Sequence, residues 1–578
     1  MNTLKIRQRP TPDTYHFDDS LHPVLQRILA ARGITSLDEL DHRLPRLLPW
    51  QSLKGINSAV DLLVYSLQHQ ESLLIVADFD ADGATSCAVG IRALQAMGIQ
   101  KIHYLVPDRA KHGYGLTPVI ADLAAKLQPD LLITVDNGIS SIEGVKQARA
   151  HGMKVLITDH HLPGEQTPEA DAIVNPNQVG DQFPSKSLAG VGVIFYLMIA
   201  LRARLRELNW FEQQSRAEPN LAQWLDLVAL GSVADVVALD QNNRILVNQG
   251  LLHIRKGQCC PGIEGLIKVA GREQSRLNSS DLGFYLGPRI NAAGRMDDMR
   301  YGIECLLDDD PKTALDKASQ LDIFNQERRA VESEMLEDAL EILQRLDLEQ
   351  CGELPLGLCL FDKNWHQGVI GILASRIKDR WHRPVIIFTS NEENPEEIKG
   401  SARSIPGFHI RDGLANIHSR HPQLLSKFGG HAMAAGLSLH ASQLEHFQTE
   451  FDLEVRRHLN KKALEGIIDS DGSLPANAFT IEFAELLRDF TPWGQAFPEP
   501  VFDGNFEILE KKVLKNKHLK MRVQAEDCPY PVDAIAFGKT DEDWHPDTHS
   551  VHLVYRLDIN QFRGFQSLQL MVQQIEPY

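Results

Sequence analysis

The chain has 578 residues, 43% of them hydrophobic and 24% charged, and a formal net charge of −18. A single core holds roughly 100–200 residues, so about three or four globular units are expected, and the acidic balance excludes capture of duplex nucleic acid by bulk attraction while leaving room for a local basic track. Seven scattered cysteines with no C-x-x-C pair exclude a zinc knuckle and a disulfide framework, and they suit a reducing cytoplasm.

Residues 1–50 form an N-terminal segment without an apolar leader, and "LAGVGVIFYLMIAL" (188–201) falls short of the roughly 20 residues that span a bilayer. It reads as a buried helix, and no membrane association is expected. Across 51–310, short β-rich runs ("SLLIVADF", "KIHYLVP", "DLLITVD", "KVLITD") alternate with helical stretches, which predicts a parallel, doubly wound sheet. In such sheets ligands gather outside the carboxyl ends of the strands. The polar clusters obey that rule: Asp78, Asp80 and Asp82 end the first strand, Asp136-Asn137-Gly138 the third, and Asp159-His160-His161 the fourth. A long amphipathic helix is expected over 311–349, then a second α/β domain over 350–455 containing the glycine-rich "KFGGHAMAAGLSL". Five strand-like runs in 460–578 are compatible with a small OB-type barrel.

Three alternating aspartates before a glycine resemble a calcium loop, but its twelfth position, a Glu in such loops, is Val89, and the segment follows a strand rather than a helix. "DADGAT" also resembles the nucleophile loop of haloacid-dehalogenase phosphatases, yet Gly180-Asp181 lacks the second acid of their later motif. A lone strand-end Asp is as readily a helix cap. Several such clusters on one sheet edge are not so easily dismissed. Mixed Asp and His donors suit one or two divalent ions such as Mg²⁺ or Mn²⁺, and two ions about 3.5–4 Å apart activate a water and stabilise the leaving oxygen of a phosphoryl displacement.

"DFDADG", "VDNG", "TDHH" and "GSVADVVAL" (231–239), in that order, resemble the successive motifs of the DHH phosphoesterase family. "GPRINAAGRM" (287–296), "WHQGVIGILASRI" (365–377), "GSARSIPGFHIRDGL" (400–414) and "GGHAMAAG" (429–436) narrow the likeness to its single-strand-specific exonuclease branch. The resemblance implies a DHH domain joined by a long helix to a DHHA1-type domain, followed by an OB-like barrel. It implies metal-dependent 5′-to-3′ hydrolysis of single-stranded DNA to mononucleotides in recombination and repair, beside single-strand-binding protein and a helicase. Two further readings stand: a phosphodiesterase of short oligonucleotides or small nucleotides, and a non-catalytic single-strand-binding scaffold. Retention of both histidines disfavours the scaffold, and the OB-like tail disfavours the small-substrate enzyme.

By the same resemblance, Asp80, Asp82, Asp136, His160, His161 and Asp235 surround the metal ions, and Asp159 orients the histidines from behind. Many family members carry a His four residues before the first ligand aspartate; Val76 stands there in this chain, so Asp78 and water are expected to complete that site. Arg109, Arg289, Asn291, Arg295, Ser401, Arg403 and the Gly429-Gly430-His431 turn are the phosphate candidates, since guanidinium forks and glycine backbone both fit phosphate oxygens. "KKVLKNKHLKMR" (511–522) carries six basic residues in twelve. Its Lys512, Lys515, Lys517 and Lys520 are expected to follow a single-strand backbone along the barrel.

Overall fold

Runs of Leu, Ile and Val too short for helices and punctuated by Asp and Gly dictate the first sheet. Strands Leu73–Ala77, Ile102–Leu105, Leu131–Val135, Lys154–Thr158 and Ala172–Val174 are all parallel. Strand Leu73–Ala77 lies between Ile102–Leu105 and Leu131–Val135, so the order along the sheet reverses direction beside it. Such a reversal opens a crevice at the carboxyl edge. The structure, a computed structural model, describes residues 4–12, 15, 17, 20–108, 111–349, 354–391, 394–526, 528–541, 544, 548–562 and 564–578. The three central strands are buried on both faces, as parallel strands covered by helices must be. One covering helix, Gly190–Glu207, contains most of the long apolar run and buries Val191 through Met198. No helix among the described residues is long and apolar enough to cross a membrane.

The chain divides into two compact bodies. The first sheet belongs to residues 11–325 together with 482–500; the other body comprises residues 1–10, 326–481 and 501–578. The helix Pro311–Glu349 begins in one and ends in the other. The tail, residues 460–578, contributes to both bodies. Its segment 482–500 packs with the first sheet's body: Ser279 donates to the Trp493 carbonyl at 2.6 Å, and Leu239 N–H donates to Gln495 O at 2.8 Å. The strand Lys5–Gln8 in turn pairs in parallel with Ile467–Ser470.

The second body holds a five-stranded mixed sheet in which Glu397–Arg403 lies between Val385–Ser390 and Ala434–His440, with Lys427–Gly430 at one edge. Alternation along Glu397–Arg403 buries Ile398, Gly400 and Ala402 and leaves Ser401 and Arg403 on the more open face. Downstream, five strands between Phe502 and Pro577 close into a barrel, so the expected five runs leave no edge strand.

Candidate metal centre and phosphate-binding surfaces

Asp80 caps the helix Ala81–Met97: its carboxylate accepts from Asp82 N–H at 2.9 Å and Gly83 N–H at 3.0 Å. The cap directs the first turn of that helix, with Asp82, into the crevice. Asp82 is fully buried and accepts the backbone N–H groups of Gly190 (2.6 Å) and Val191 (2.9 Å) at the start of another helix. A helix N-terminus favours an anion. Even so, burial and the adjacent Asp80 charge push the Asp82 carboxyl up to about 7.

Asp136 ends its strand in a left-handed backbone conformation, φ 62°, which Asp tolerates better than most residues. Asn137 ties the turn down, donating to the carbonyls of Val76 (3.1 Å) and Val135 (2.9 Å) on adjacent strands. Gly190 is required opposite: a Cβ there would stand 2.5 Å from the Asp136 Cβ. Asp136 Oδ1 is buried without a hydrogen-bond donor among the described residues and lies 3.1 Å from His160 Nε2. Burial, then Asp82, Asp80, Asp235 and Asp78, push the Asp136 carboxyl well above the usual range.

His160 Nε2 also lies 3.4 Å from Asp235 Oδ2. Asp235 follows the last turn of Leu225–Ala234, at the C-terminal end of that helix. A carboxylate at a helix C-terminus faces the negative end of the dipole, an arrangement that a bound cation relieves. Burial and the Asp82, Asp80 and Asp78 charges raise the Asp235 carboxyl as well. The next residue, Val236, has φ 60°, a strained value for a β-branched side chain.

Asp159 is anchored from three sides. Its Oδ1 accepts from the N–H groups of His160 (2.7 Å) and His161 (3.1 Å), its Oδ2 accepts from Ile139 N–H (2.9 Å), and His161 Nδ1 lies 2.7 Å from Oδ1. Burial works to raise this carboxyl, but the His161 hydrogen bond and charge outweigh it and hold it low. Burial likewise opposes charge on His161, yet Asp159, Asp78 and Asp80 raise it to about 9.

Three overlapping groups of donor atoms result: Asp78, Asp80 and Asp136; Asp136, His160 and His161; and Asp82, His160 and Asp235. Within each, the atoms lie within 4.8 Å of one another. Val76 is buried in the apolar core, while Asp78 joins Asp80 and Asp136. The buried Asp136 oxygen that accepts no hydrogen bond among the described residues, the crowding of like charge and the hard oxygen donors with imidazole all fit Mg²⁺ or Mn²⁺.

Several contributors have weak sequence signals. Tyr114 donates to the Asp136 carbonyl at 3.2 Å and reaches the His161 ring at 3.3 Å. It lies in "HGYG", between glycines with φ 76° and 68°. Asn175 and Asn177, in "NPN" just after a strand, hold the His161 and His160 carbonyls at 2.9 and 2.6 Å. A Cβ on Gly231 would strike Thr85 at 2.2 Å and approach Asp82 at 3.0 Å.

The expected phosphate residues fall in two places. Near the metal centre, Asn291 accepts from Ala81 N–H at 2.8 Å, while Arg289 pairs with Asp322 at 2.9 Å and donates to the Tyr285 carbonyl. Both brace the surrounding helices, whereas Arg295 is half-buried in the last turn of Gly287–Met296. A single π-helical turn, Leu282–Leu286, precedes that helix. In the second body, Gly429, Gly436 and Ser401 stand side by side across three strands, and among the described residues nothing lies within 4 Å of where a Cβ would project from either glycine. Arg403 donates to Ser401 Oγ at 3.2 Å, and Gly371 closes on both, with 3.0 Å from its Cβ position to each. Gly430 has φ 144°, and His431 beyond it is exposed and donates its N–H to Ala434 O. Arg109 lies outside the described residues.

On the barrel, Lys512 and Lys520 pair across neighbouring strands, and Lys515 and Asn516, both in the left-handed region, lie in the three-residue connection between those strands. Lys512, Lys515 and Lys517 are exposed, whereas Lys520 is bound to Asp533 at 2.9 Å.

Residues 72–232 match the DHH family N-terminal domain, 355–457 the DHHA1 domain and 470–574 the RecJ OB domain. The single-stranded-DNA-specific exonuclease RecJ of Dickeya dadantii is 50% identical over 580 residues, covering 100% of both chains. The chain belongs to the RecJ family. RecJ of Escherichia coli K12 is 48% identical over 576 residues, covering 99% of each. The crystal structure of Thermus thermophilus RecJ in complex with Mn²⁺ superimposes with a TM-score of 0.78 at 27% identity, covering 96% of this chain and 76% of that one.

Proposed function

We propose that the chain is a metal-dependent exonuclease that degrades single-stranded DNA from its 5′ end and releases mononucleotides. The observation that carries the hydrolytic reading is the convergence of Asp78, Asp80, Asp82, Asp136, Asp235, His160 and His161 on one sheet edge. The RecJ likeness over the whole length supports the polymer substrate.

Asp80, Asp82, Asp136, His160, His161 and Asp235, aided by Asp78, hold the ions, and Asp159 positions His161. One or two Mg²⁺ or Mn²⁺ ions supply, when bound, an activated water and charge neutralisation at the leaving oxygen. The protein holds its donors rigid: Asn137, Asn175 and Asn177 fix the strand-end turns, and backbone N–H groups fix Asp80, Asp82 and Asp159.

Ser401, Arg403 and the Gly429-Gly430-His431 turn bind the terminal 5′ phosphate, with Arg109, Arg289, Asn291 and Arg295 as further candidates along the substrate. Support for the first group is the open Gly429–Gly436–Ser401 row beside a guanidinium, which lets backbone and fork approach phosphate oxygens together. The lysines on the barrel follow the strand. Single-strand-binding protein and a helicase supply substrate in recombination and repair, and the cytoplasm is the site of action; six unpaired cysteines among the described residues agree with a reducing compartment.

Digestion of 5′- and 3′-labelled single strands and duplex, with and without Mn²⁺, tests the reading. Metal-dependent release of the 5′ label from single strands is expected, with Asp136→Ala folded but inactive. Under single-turnover conditions Arg403→Ala should lose more activity on 5′-phosphorylated than on 5′-hydroxyl strands. Initial release from the 3′ end would overturn the polarity, and near-normal turnover by Asp136→Ala would overturn the metal assignment.

A further inference from the structure

Within the DHHA1 domain, helices Ile410–Arg420 and Leu444–His458 are joined at Glu454, which accepts from Asn416 and Arg420. One turn earlier on the second helix stand Glu450 and His446, four residues apart and therefore on one face. They meet His421, which ends the first helix. His421 Nε2 lies 3.3 Å from Glu450 Oε2, and the His421 and His446 rings are 5.2 Å apart at 68°. One donor atom from each of the three lies within 4.8 Å of the others.

We propose that His421, His446 and Glu450 form a second metal site that takes Zn²⁺, with water as the fourth ligand. Two ligands about 2.0–2.1 Å from a tetrahedral zinc are roughly 3.3–3.4 Å apart, the separation that His421 and Glu450 already have. Two imidazoles and one carboxylate suit zinc, whereas the aspartate-rich strand-end centre suits harder ions. The donors are set on firm supports. His421 donates its N–H to Ile417 O at 2.8 Å and accepts from Leu424 N–H at 3.0 Å, so its backbone position is fixed. The Glu450 side chain is largely buried, and exposed His446 completes the site from the solvent side. A simple His421–Glu450 ion pair requires no contribution from His446, so His446 distinguishes the two arrangements. Bound zinc would cross-link the end of one helix to the face of the other, continuing the staple made by Glu454.

The test is the count of tight Zn²⁺ equivalents taken up by the chelator-stripped full chain in competition with a chromophoric chelator. His446→Ala and, separately, Glu450→Gln should each bind one equivalent fewer than the unsubstituted chain, or bind it about a hundredfold or more weakly. Co²⁺ in the site should give a tetrahedral ligand-field spectrum that His446→Ala abolishes, while Mn²⁺-dependent digestion of single strands is unchanged. His446 is exposed, so its substitution leaves the fold intact, which circular dichroism verifies. Equal Zn²⁺ counts and affinities in all three chains would overturn the proposal, as would a Co²⁺ spectrum insensitive to His446.

Discussion

Asp159 grips His161 from behind, Oδ1 to Nδ1 at 2.7 Å, while the same oxygen accepts two backbone N–H groups. An imidazole whose Nδ1 proton is held by a carboxylate keeps its lone pair on Nε2, so Asp159 selects the tautomer able to bind a metal. In Asp159→Asn an amide NH₂ would replace one acceptor oxygen and face either His161 or the Ile139 N–H. The Mn²⁺ concentration for half-maximal hydrolysis should rise about 10–100-fold, with maximal rate recovered in large part at saturation. An unchanged Mn²⁺ titration would show that the contact does not tune the site.

The crowding of carboxylates has a cost in the absence of ions. Because burial and four neighbouring aspartates raise the Asp136 carboxyl, its charged form at pH 7.5 disfavours the folded state. Asp136→Asn should therefore be more stable than the parent chain in chelator, by roughly 1–2 kcal/mol, even as its activity should be lost. Adding Mn²⁺ should reverse the ranking. A lower melting temperature than the parent in chelator would refute the repulsion argument.

Most of the first sheet could be read from the sequence, because apolar runs of strand length end in acid-rich turns and both signals are local. Asp80, Asp136 and the His160-His161 pair lie where that rule puts them. Less accessible were partners supplied by distant segments: the Gly190 and Val191 N–H groups on Asp82, Asn291 on Ala81, and Tyr114 on His161. Nothing local in "AGVG" announces that Gly190 must lack a side chain to admit Asp136. Arg289 and Lys520 show the reverse difficulty, since their charges look available in sequence and are paired in space with Asp322 and Asp533.

Those pairings refine the expectation for the barrel. Neutralising exposed Lys512, Lys515 and Lys517 should weaken capture of long single strands and reduce the slope of log affinity against log salt by about 0.7 for each phosphate that is no longer neutralised. Lys520→Ala should add little, because Asp533 already offsets its charge. Filter binding across a salt series reads both effects, and an unaltered slope in the triple variant would move the track elsewhere.

Acid stability offers a separate check on the DHHA1 domain. Burial works to raise the Glu454 carboxyl, but hydrogen bonds from Asn416, Arg457, Arg420 and His458 outweigh it and hold it at about 2. A depressed folded value means that the stabilisation is complete above the unfolded value of about 4.3 and fades as pH falls toward 2. Glu454→Gln should cost about 2–4 kcal/mol at pH 7 and little at pH 2. Parallel melting curves of the two chains from pH 7 to pH 2 would contradict this assignment.

The interleaving of the two bodies along the chain bears on how the protein is made. Every candidate strand-end ligand leaves the ribosome well before residues 482–500, which complete the same body through Trp493 and Gln495. Strand Lys5–Gln8, synthesised long before its partner, must wait for Ile467–Ser470. A nascent chain thus exposes its candidate metal ligands while Ser279 and the Leu239 N–H still lack their partners. Truncation near residue 460 would therefore strip partners from the body that holds the first sheet as well as remove the barrel.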